Sequence, residues 1–273
     1  MKNNLLKSLL LCSLCLFTAC GGSTDSAGQT PADTTSTESA NTAVTAETTP
    51  AETEESTFSR PSRAVQSVED DTDYTGKTTL TYIGHASVKI RSKNGSILYI
   101  DPNFYTGNYD DEADYILVTH GHDDHLPCDK VTLKDSGEMI TYEEALHDGV
   151  YESYELGDFT VQAVPAGGNP NHSIDCCVGY LVTVDGYTIY HAGDTSMIDQ
   201  MNDLTDVHID YAMYPIDGVY NMDAVEATEV ANLVGAVNNI PIHENDTGSS
   251  KKSDKFTPNG RLVLNYGETV VIE

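Results

Sequence analysis

Thr119-His120-Gly121-His122-Asp123-Asp124-His125 continues directly from Tyr115-Ile116-Leu117-Val118. The run Tyr115 to Thr119 reads as a buried strand, and the polar stretch as the loop that leaves it. A loop leaving a strand can turn alternate side chains onto two neighbouring points. Imidazole and carboxylate are the ligands that hold zinc and similar divalent ions. The frame His-x-His-x-Asp-His, set at the end of a strand, therefore points to a metal site. A solvated acidic turn would account for two histidines, but not for this pattern together with the residues described below.

Working outward, short β runs dominate. Strands are expected at Thr78 to Ile83, Ser87 to Arg91 and Ser96 to Ile100, the last two joined by an Asn94-Gly95 turn. Further strands are expected at Phe159 to Val164, Val178 to Val184, Tyr187 to His191, Tyr211 to Pro215 and Asn239 to Ile242. A closing hairpin, Arg261 to Leu264 with Thr269 to Ile272, would turn at Tyr266-Gly267. Ala227, Val230, Ala231 and Val234 fall at helical spacing and predict a helix over Asp223 to Val237. Shorter helices are expected at Tyr142 to His147 and Ser196 to Leu204. Hairpins first, then strands alternating with helices, indicate a mixed α/β (α+β) fold.

The N-terminal quarter has a different composition. Lys2 and Lys7 precede an apolar run, Leu9 to Phe17, which is too short to span a bilayer as a mature helix. Thr18-Ala19-Cys20-Gly21 then resembles the cleavage site of bacterial lipoproteins, with Phe17 where leucine is usual. This predicts a leader over residues 1–20, removed to leave Cys20 lipidated. The alternative is an ordinary secretory leader with an unmodified Cys20. From Gly21 to Thr75, Ser and Thr supply 21 of 55 residues, with 11 acids and 2 bases. Such a segment cannot bury enough apolar surface to offset chain entropy, and is expected to be a disordered linker. The protein is thus expected to be extracytoplasmic and to meet the membrane only through its N-terminal lipid.

Charge narrows the partners. The chain carries a formal −29, and residues 76–273 hold 10 bases against 32 acids. That balance repels nucleic-acid phosphates and anionic lipid surfaces. The 39% hydrophobic content is low for one compact domain, and the linker accounts for most of the shortfall.

The metal-type motif resembles that of metallo-β-lactamase-fold hydrolases. Tyr82-Ile83-Gly84-His85-Ala86-Ser87 and Ile100-Asp101-Pro102 are similar to the entry strands of the branch related to L-ascorbate-6-phosphate lactonase. Pro165-Ala166 with His172, Tyr190 to Thr195, Pro215 to Met222 and Ile240 to His243 resemble the later family blocks. The resemblance spans residues 76–273 and implies a four-layer αββα sandwich. It also implies two divalent metal ions, zinc or else manganese or iron. His120, His122 and His172 would hold one ion, and Asp124, His125 and His243 the other. Asp194 would bridge them. A shared, acidified water would then attack a lactone, ester, amide or phosphodiester bond, with Asp194 placing the metals and Asp124 orienting the nucleophile.

Several residues have two readings. His85 is either a contact to substrate or ligands, with a catalytic role, or a packed core histidine. Asp101 is expected to fix a turn beside the site. His191 is expected to pack, and His147 and His208 to lie on the surface. Cys176 and Cys177 are expected to be small residues entering a strand, with a disulfide to Cys128 left open. Glu244 stands where relatives carry an aromatic residue, and is expected to border the substrate pocket and disfavour phosphorylated substrates. The competing function is a lipoprotein that binds metal or ligand without catalysis.

Overall fold

The computed structural model describes residues 73–103, 107–127, 129–244 and 251–273. The leader, Cys20, almost all of the linker, and Cys128 lie outside them. In chain order the strands are β1 (Thr78–Gly84), β2 (Ser87–Arg91), β3 (Ile97–Ile100), β4 (Ala113–Leu117) and β5 (Leu133–Ile140). A one-turn helix α1 (Tyr142–Ala145) and a small hairpin, β6 (Leu146–His147) with β7 (Val150–Tyr151), follow. Then come β8 (Ser153–Leu156), β9 (Phe159–Pro165), β10 (Val178–Val184), β11 (Tyr187–His191) and β12 (Tyr211–Pro215). Helix α2 (Ala224–Val234), β13 (Asn238–Ile242) and β14 (Glu268–Ile272) complete the domain.

Two six-stranded sheets form, ordered β14-β1-β2-β3-β4-β5 and β13-β12-β11-β10-β9-β8. The period-2 alternation of strand side chains decides what each face buries. Leu98 and Ile100 of β3 join Val161, Tyr180, Val182 and Met213 in the core between the sheets. Ile97 and Tyr99 of the same strand turn to the outer face, where Tyr109, Leu126 and Val131 from connecting segments cover them. On the second sheet, Tyr190, Ala212 and Tyr214 face outward onto Ala227, Val230, Ala231 and Val234 of α2. Asp223 caps that helix by accepting from the backbone N–H of Val225 and Glu226. Gly235, at φ 72°, ends it three residues before the limit its apolar spacing predicts. The result is a mixed α/β sandwich, with its helical layer on the second sheet.

Two expectations are corrected, and one strand was not expected. Arg261 to Leu264 forms no strand: only an isolated bridge joins Arg261 to Asn239, and Glu268–Ile272 pairs with β1 instead. This tail thus touches the edge of one sheet and completes the edge of the other, a long-range choice that a local hairpin signal cannot show. β5, Leu-Lys-Asp-Ser-Gly-Glu-Met-Ile, went unread because an edge strand needs no continuous apolar face. The expected helix at Ser196 to Leu204 is a 3₁₀ segment, Asp199–Leu204, whose N-cap Ile198 provides no side-chain bond.

The sheets place functional loops at one end. β3 and β4 are parallel, as are β11, β12 and β13. Their C-terminal ends release Asp101, the His120 loop, Asp194, Asp217 and His243 in turn. Gly193, at φ 65°, makes the turn before Asp194. A Cβ there would stand 2.7 Å from the Val178 carbonyl oxygen. Gly186 also has positive φ (89°), but open space surrounds its missing Cβ. Gly186→Ala should therefore cost about 1–2 kcal/mol of left-handed backbone strain. Gly193→Ala should cost about 1–3 kcal/mol more from overpacking, read by denaturant unfolding of both variants.

Candidate metal centre

Each side chain of the centre is set by its local backbone. β4 ends at Leu117, two residues before the strand end expected from the apolar run. Thr119 is thereby freed from the ladder, and Asp101 takes its donors: Thr119 N donates to Oδ1 at 2.8 Å and Oγ1 to Oδ2 at 2.7 Å. Thr119 O accepts from Val178 N at 2.9 Å, which ties the loop to the second sheet. His85, Asp101 and His243 all have positive φ (56°, 49° and 55°), rare for residues with side chains. The only other such residues among those described are Asp148 and Asp185. Backbone strain of this kind persists where surrounding contacts over-determine it. Here His243 N donates to His85 O at 2.8 Å, joining the end of β13 to the end of β1.

Seven expected ligands converge. His122 Nδ1 lies 3.0 Å from His120 Nε2 and 3.2 Å from His172 Nε2. Asp194 Oδ2 lies 3.3 Å from His172 Nε2 and 3.4 Å from His243 Nε2, and Oδ1 lies 3.4 Å from His125 Nε2. Asp124 Oδ2 is 3.7 Å from His243 Nε2 and 3.9 Å from His125 Nε2. Asp194 therefore touches members of both expected sets, as a bridging group must. The grouping by ligand-atom distance also adds His85 to Asp124, His125 and His243.

These residues fit a metal. His125 Nε2 and Asp194 Oδ1 are buried without a hydrogen-bond partner. At 3.4 Å the two atoms face only each other across the centre, and a cation between them would satisfy both. Two ligands at tetrahedral angles on one zinc stand roughly 3.3 Å apart, which matches the separations around Asp194. All the donors are imidazole nitrogen or carboxylate oxygen, a set that suits zinc, manganese or iron.

The outer partners fix the ring orientations. Asp101 Oδ2 accepts from His125 Nδ1 at 2.8 Å, so Nε2 is the nitrogen turned to Asp194. Asp217 Oδ2 lies 3.3 Å from His243 Nδ1 and does the same for that ring. Asp101 thus holds a ligand as well as a turn. Asp217 was missed in the sequence, where Asp217-Gly218 signals only a turn. His85 Nε2 stands 2.9 Å from Asp124 Oδ2, which makes it a donor that orients this carboxylate. His191 is a packed residue: Nε2 donates to Ala86 O at 2.8 Å, and Nδ1 accepts from Gly193 N at 3.1 Å.

The buried histidines and carboxylates of the centre set one another's charge. Burial pushes His120 down to about 3, helped by the neighbouring His125. Burial works against a charged His243, but Asp194, Asp124 and Asp217 outweigh it and hold the ring up at about 9. His125 is raised well above the ordinary histidine range, since Asp194 and Asp101 outweigh its burial. Asp194 is held well below the usual carboxylate range: its burial opposes this, but His125 and His243 prevail.

A cavity of about 850 Å³ opens onto the centre. His122, His172, Asp124 and Asp194 line its floor, with Tyr220 and Tyr266 in its walls. Glu244 is not there, which corrects the sequence expectation. Its carboxylate accepts from Ser253 N at 2.8 Å and lines a different cleft. The sequence placed Glu244 one residue from His243, but the side chain turns into the chain that follows. Cys176 is exposed and Cys177 buried, both as free thiols. His147 and His208 are on the surface.

Known proteins resemble this chain in sequence and fold. Residues 79–243 fit the model of the beta-lactamase superfamily domain. A UPF0173 metal-dependent hydrolase of Carboxydothermus hydrogenoformans is 31% identical over 233 residues, covering 71% of this chain and 99% of its own. One from Enterococcus faecalis is 30% identical, covering 69% and 97%. A crystal structure of a candidate metal-dependent hydrolase from Parabacteroides distasonis is 29% identical, with TM-score 0.59, covering 74% of this chain and 97% of that one. With its ligand-type residues gathered at one end of the paired sheets, the chain belongs to the UPF0173 metal-dependent hydrolase family, on the metallo-β-lactamase fold.

Proposed function

We propose that this protein is a dinuclear metal-dependent hydrolase, held outside a bacterial cell by a lipid on Cys20. Its substrate would be a small molecule with a lactone, ester, amide or phosphodiester bond. The observation that carries the reading is the buried pair His125 Nε2 and Asp194 Oδ1, facing each other at 3.4 Å without a hydrogen bond. His120, His122 and His172 would hold one ion, Asp124, His125 and His243 the other, and Asp194 both, zinc being the first choice. Bound divalent ions polarise the scissile group and supply a water-derived nucleophile near neutral pH. Asp101 and Asp217 hold two ligand rings in the required tautomer, and His85 orients Asp124 towards the cavity.

Two equivalents of metal should bind per chain, measured by elemental analysis, with turnover read across a panel of esters, lactones and phosphodiesters. His122→Ala and Asp194→Asn should each lose a metal equivalent and abolish turnover. Asp101→Asn should lower metal affinity or activity by about 10- to 100-fold, because it releases the His125 ring. Full loading without turnover of any substrate would move the reading to a metal-binding lipoprotein.

Metal loading should raise the thermal midpoint more at pH 8 than at pH 6. In the metal-free chain, His243 has its folded pKa raised from 6.5 to about 9. Its charge thus contributes stability that is complete below pH 6.5 and fades as the pH rises through 9. A metal requires the neutral ring, so proton competition weakens as the pH rises. An equal or smaller gain at pH 8 would remove His243 from the ligands.

Cys20→Ser should release the protein from the membrane fraction into the medium, read by immunoblotting of the two fractions. Retention of the variant at the membrane would remove the lipid anchor from the proposal.

A further inference from the structure

The walls of the metal cavity carry information that the ligands do not. Beyond the ligand residues and His85, the lining is Pro170, Asn171, Tyr220 and Tyr266. No lysine or arginine is among the described residues that line it. Segments 104–106 and 245–250, outside the described residues, contain neither in sequence. Lys252 is not among the lining residues: it stands behind the Tyr220 turn, its Nζ donating to Asp217 O at 2.8 Å. Lys251 lines the adjoining cleft beyond Tyr266, where the Glu244 carboxylate stands beside it. Among the described residues that line the cavity, an anionic group remote from the reacting bond would therefore find no cationic side chain.

The two tyrosines are large rings left facing solvent, 55% and 56% exposed. Both are backed by fixed structure. Asp217 Oδ1 accepts from Val219 N at 2.8 Å and from Tyr220 N at 2.7 Å, and Oδ2 accepts from Asn221 Nδ2 at 2.7 Å. The same carboxylate group reaches His243, so the Tyr220 turn and a ligand ring share one anchor. Val219, 68% exposed, extends the apolar surface of this turn. Tyr266 rests edge-on against Tyr82, ring centroids 5.4 Å apart, and Tyr82 donates its hydroxyl to His85 O. A ring held against its neighbour, as Tyr266 is, and a ring carried on an anchored backbone, as Tyr220 is, bind a flat or apolar partner at reduced entropic cost.

We infer that the cavity selects a substrate that is uncharged away from the reacting bond and whose apolar or ring-bearing arm lies against Tyr220 and Tyr266. This rests on the hydrolase reading for the reacting bond, while the selection itself is a property of the walls. It also makes Tyr220 a specificity-determining residue and Asp217 the positioning residue behind it.

The test compares two hydroxamates on the metal-loaded full chain by calorimetry: phenylacetohydroxamate, with a neutral ring arm, and succinate monohydroxamate, with a carboxylate arm. The ring arm should bind at least about tenfold more tightly, the scale of one aromatic ring stacked on another set against one charge left unpaired. Tyr220→Ala should bring the ratio close to one, and Tyr220→Phe should keep it. In parallel, kcat/KM is measured for the 4-nitrophenyl esters of phenylacetic acid and of one succinate carboxyl. The ring-bearing ester should be preferred by a similar factor, with the loss in Tyr220→Ala falling mainly on KM. Equal or tighter binding of the carboxylate arm overturns the inference. So does a ratio unmoved in both Tyr220→Ala and Tyr266→Ala, or no binding of either hydroxamate. Selective hydroxamate binding without turnover of either ester overturns the hydrolase reading and leaves the selectivity standing. A metal-induced rise in thermal midpoint equal to that of the unsubstituted protein checks that each variant is folded.

Discussion

A buried carboxylate, Asp194, faces three imidazoles within 3.4 Å, and everything at this end of the domain is arranged to keep it there. Polar atoms taken out of water must be matched, and those of His125 and Asp194 that meet at the centre have no hydrogen bond. A cation between them would resolve that conflict. The constraint extends outward through Asp101 and Asp217, which leave one nitrogen of His125 and of His243 turned inward. It also explains why strained backbone gathers here: His85, Asp101 and His243 are held in left-handed conformations by contacts that span both sheets.

The division between ligands and walls has a physical consequence. The ligands are chosen by chemistry that any hydrolase on this fold could share, and they say little about substrate. The walls come from turns between strands, where side chains can vary without disturbing the sheets. Tyr220 belongs to such a turn, yet its anchor, Asp217, also steadies His243. A change in the wall can therefore reach the metal centre through one carboxylate. Selectivity and ligand geometry are not independent in this protein.

Much of the site was legible before any fold was known. The strand-then-loop pattern around His120 announced its chemistry, because metal ligands must be imidazole, carboxylate or thiolate and must sit close together. His172, Asp194 and His243 were assigned through family resemblance, since no local spacing links them to the His120 loop. Asp217 escaped notice because an Asp-Gly pair looks the same whether its carboxylate holds a turn or a ligand. Glu244 was misplaced for the converse reason: adjacency to His243 does not say which way a side chain points. The closing hairpin failed because turn residues report on local geometry, whereas Glu268–Ile272 finds its partner in β1, far away in the chain.

What the sequence by itself determined is the alternation that buries one face of each strand, the helix over α2, and the residue types able to hold metal. These follow from periodicity and side-chain chemistry, which act over a few positions. Only the tertiary structure decided which strands became neighbours, that His85 would reach Asp124, and that Tyr220 and Tyr266 would wall a cavity free of cationic side chains among the described residues. Those outcomes depend on packing two sheets against one core, where each contact joins segments that carry no local signal of one another.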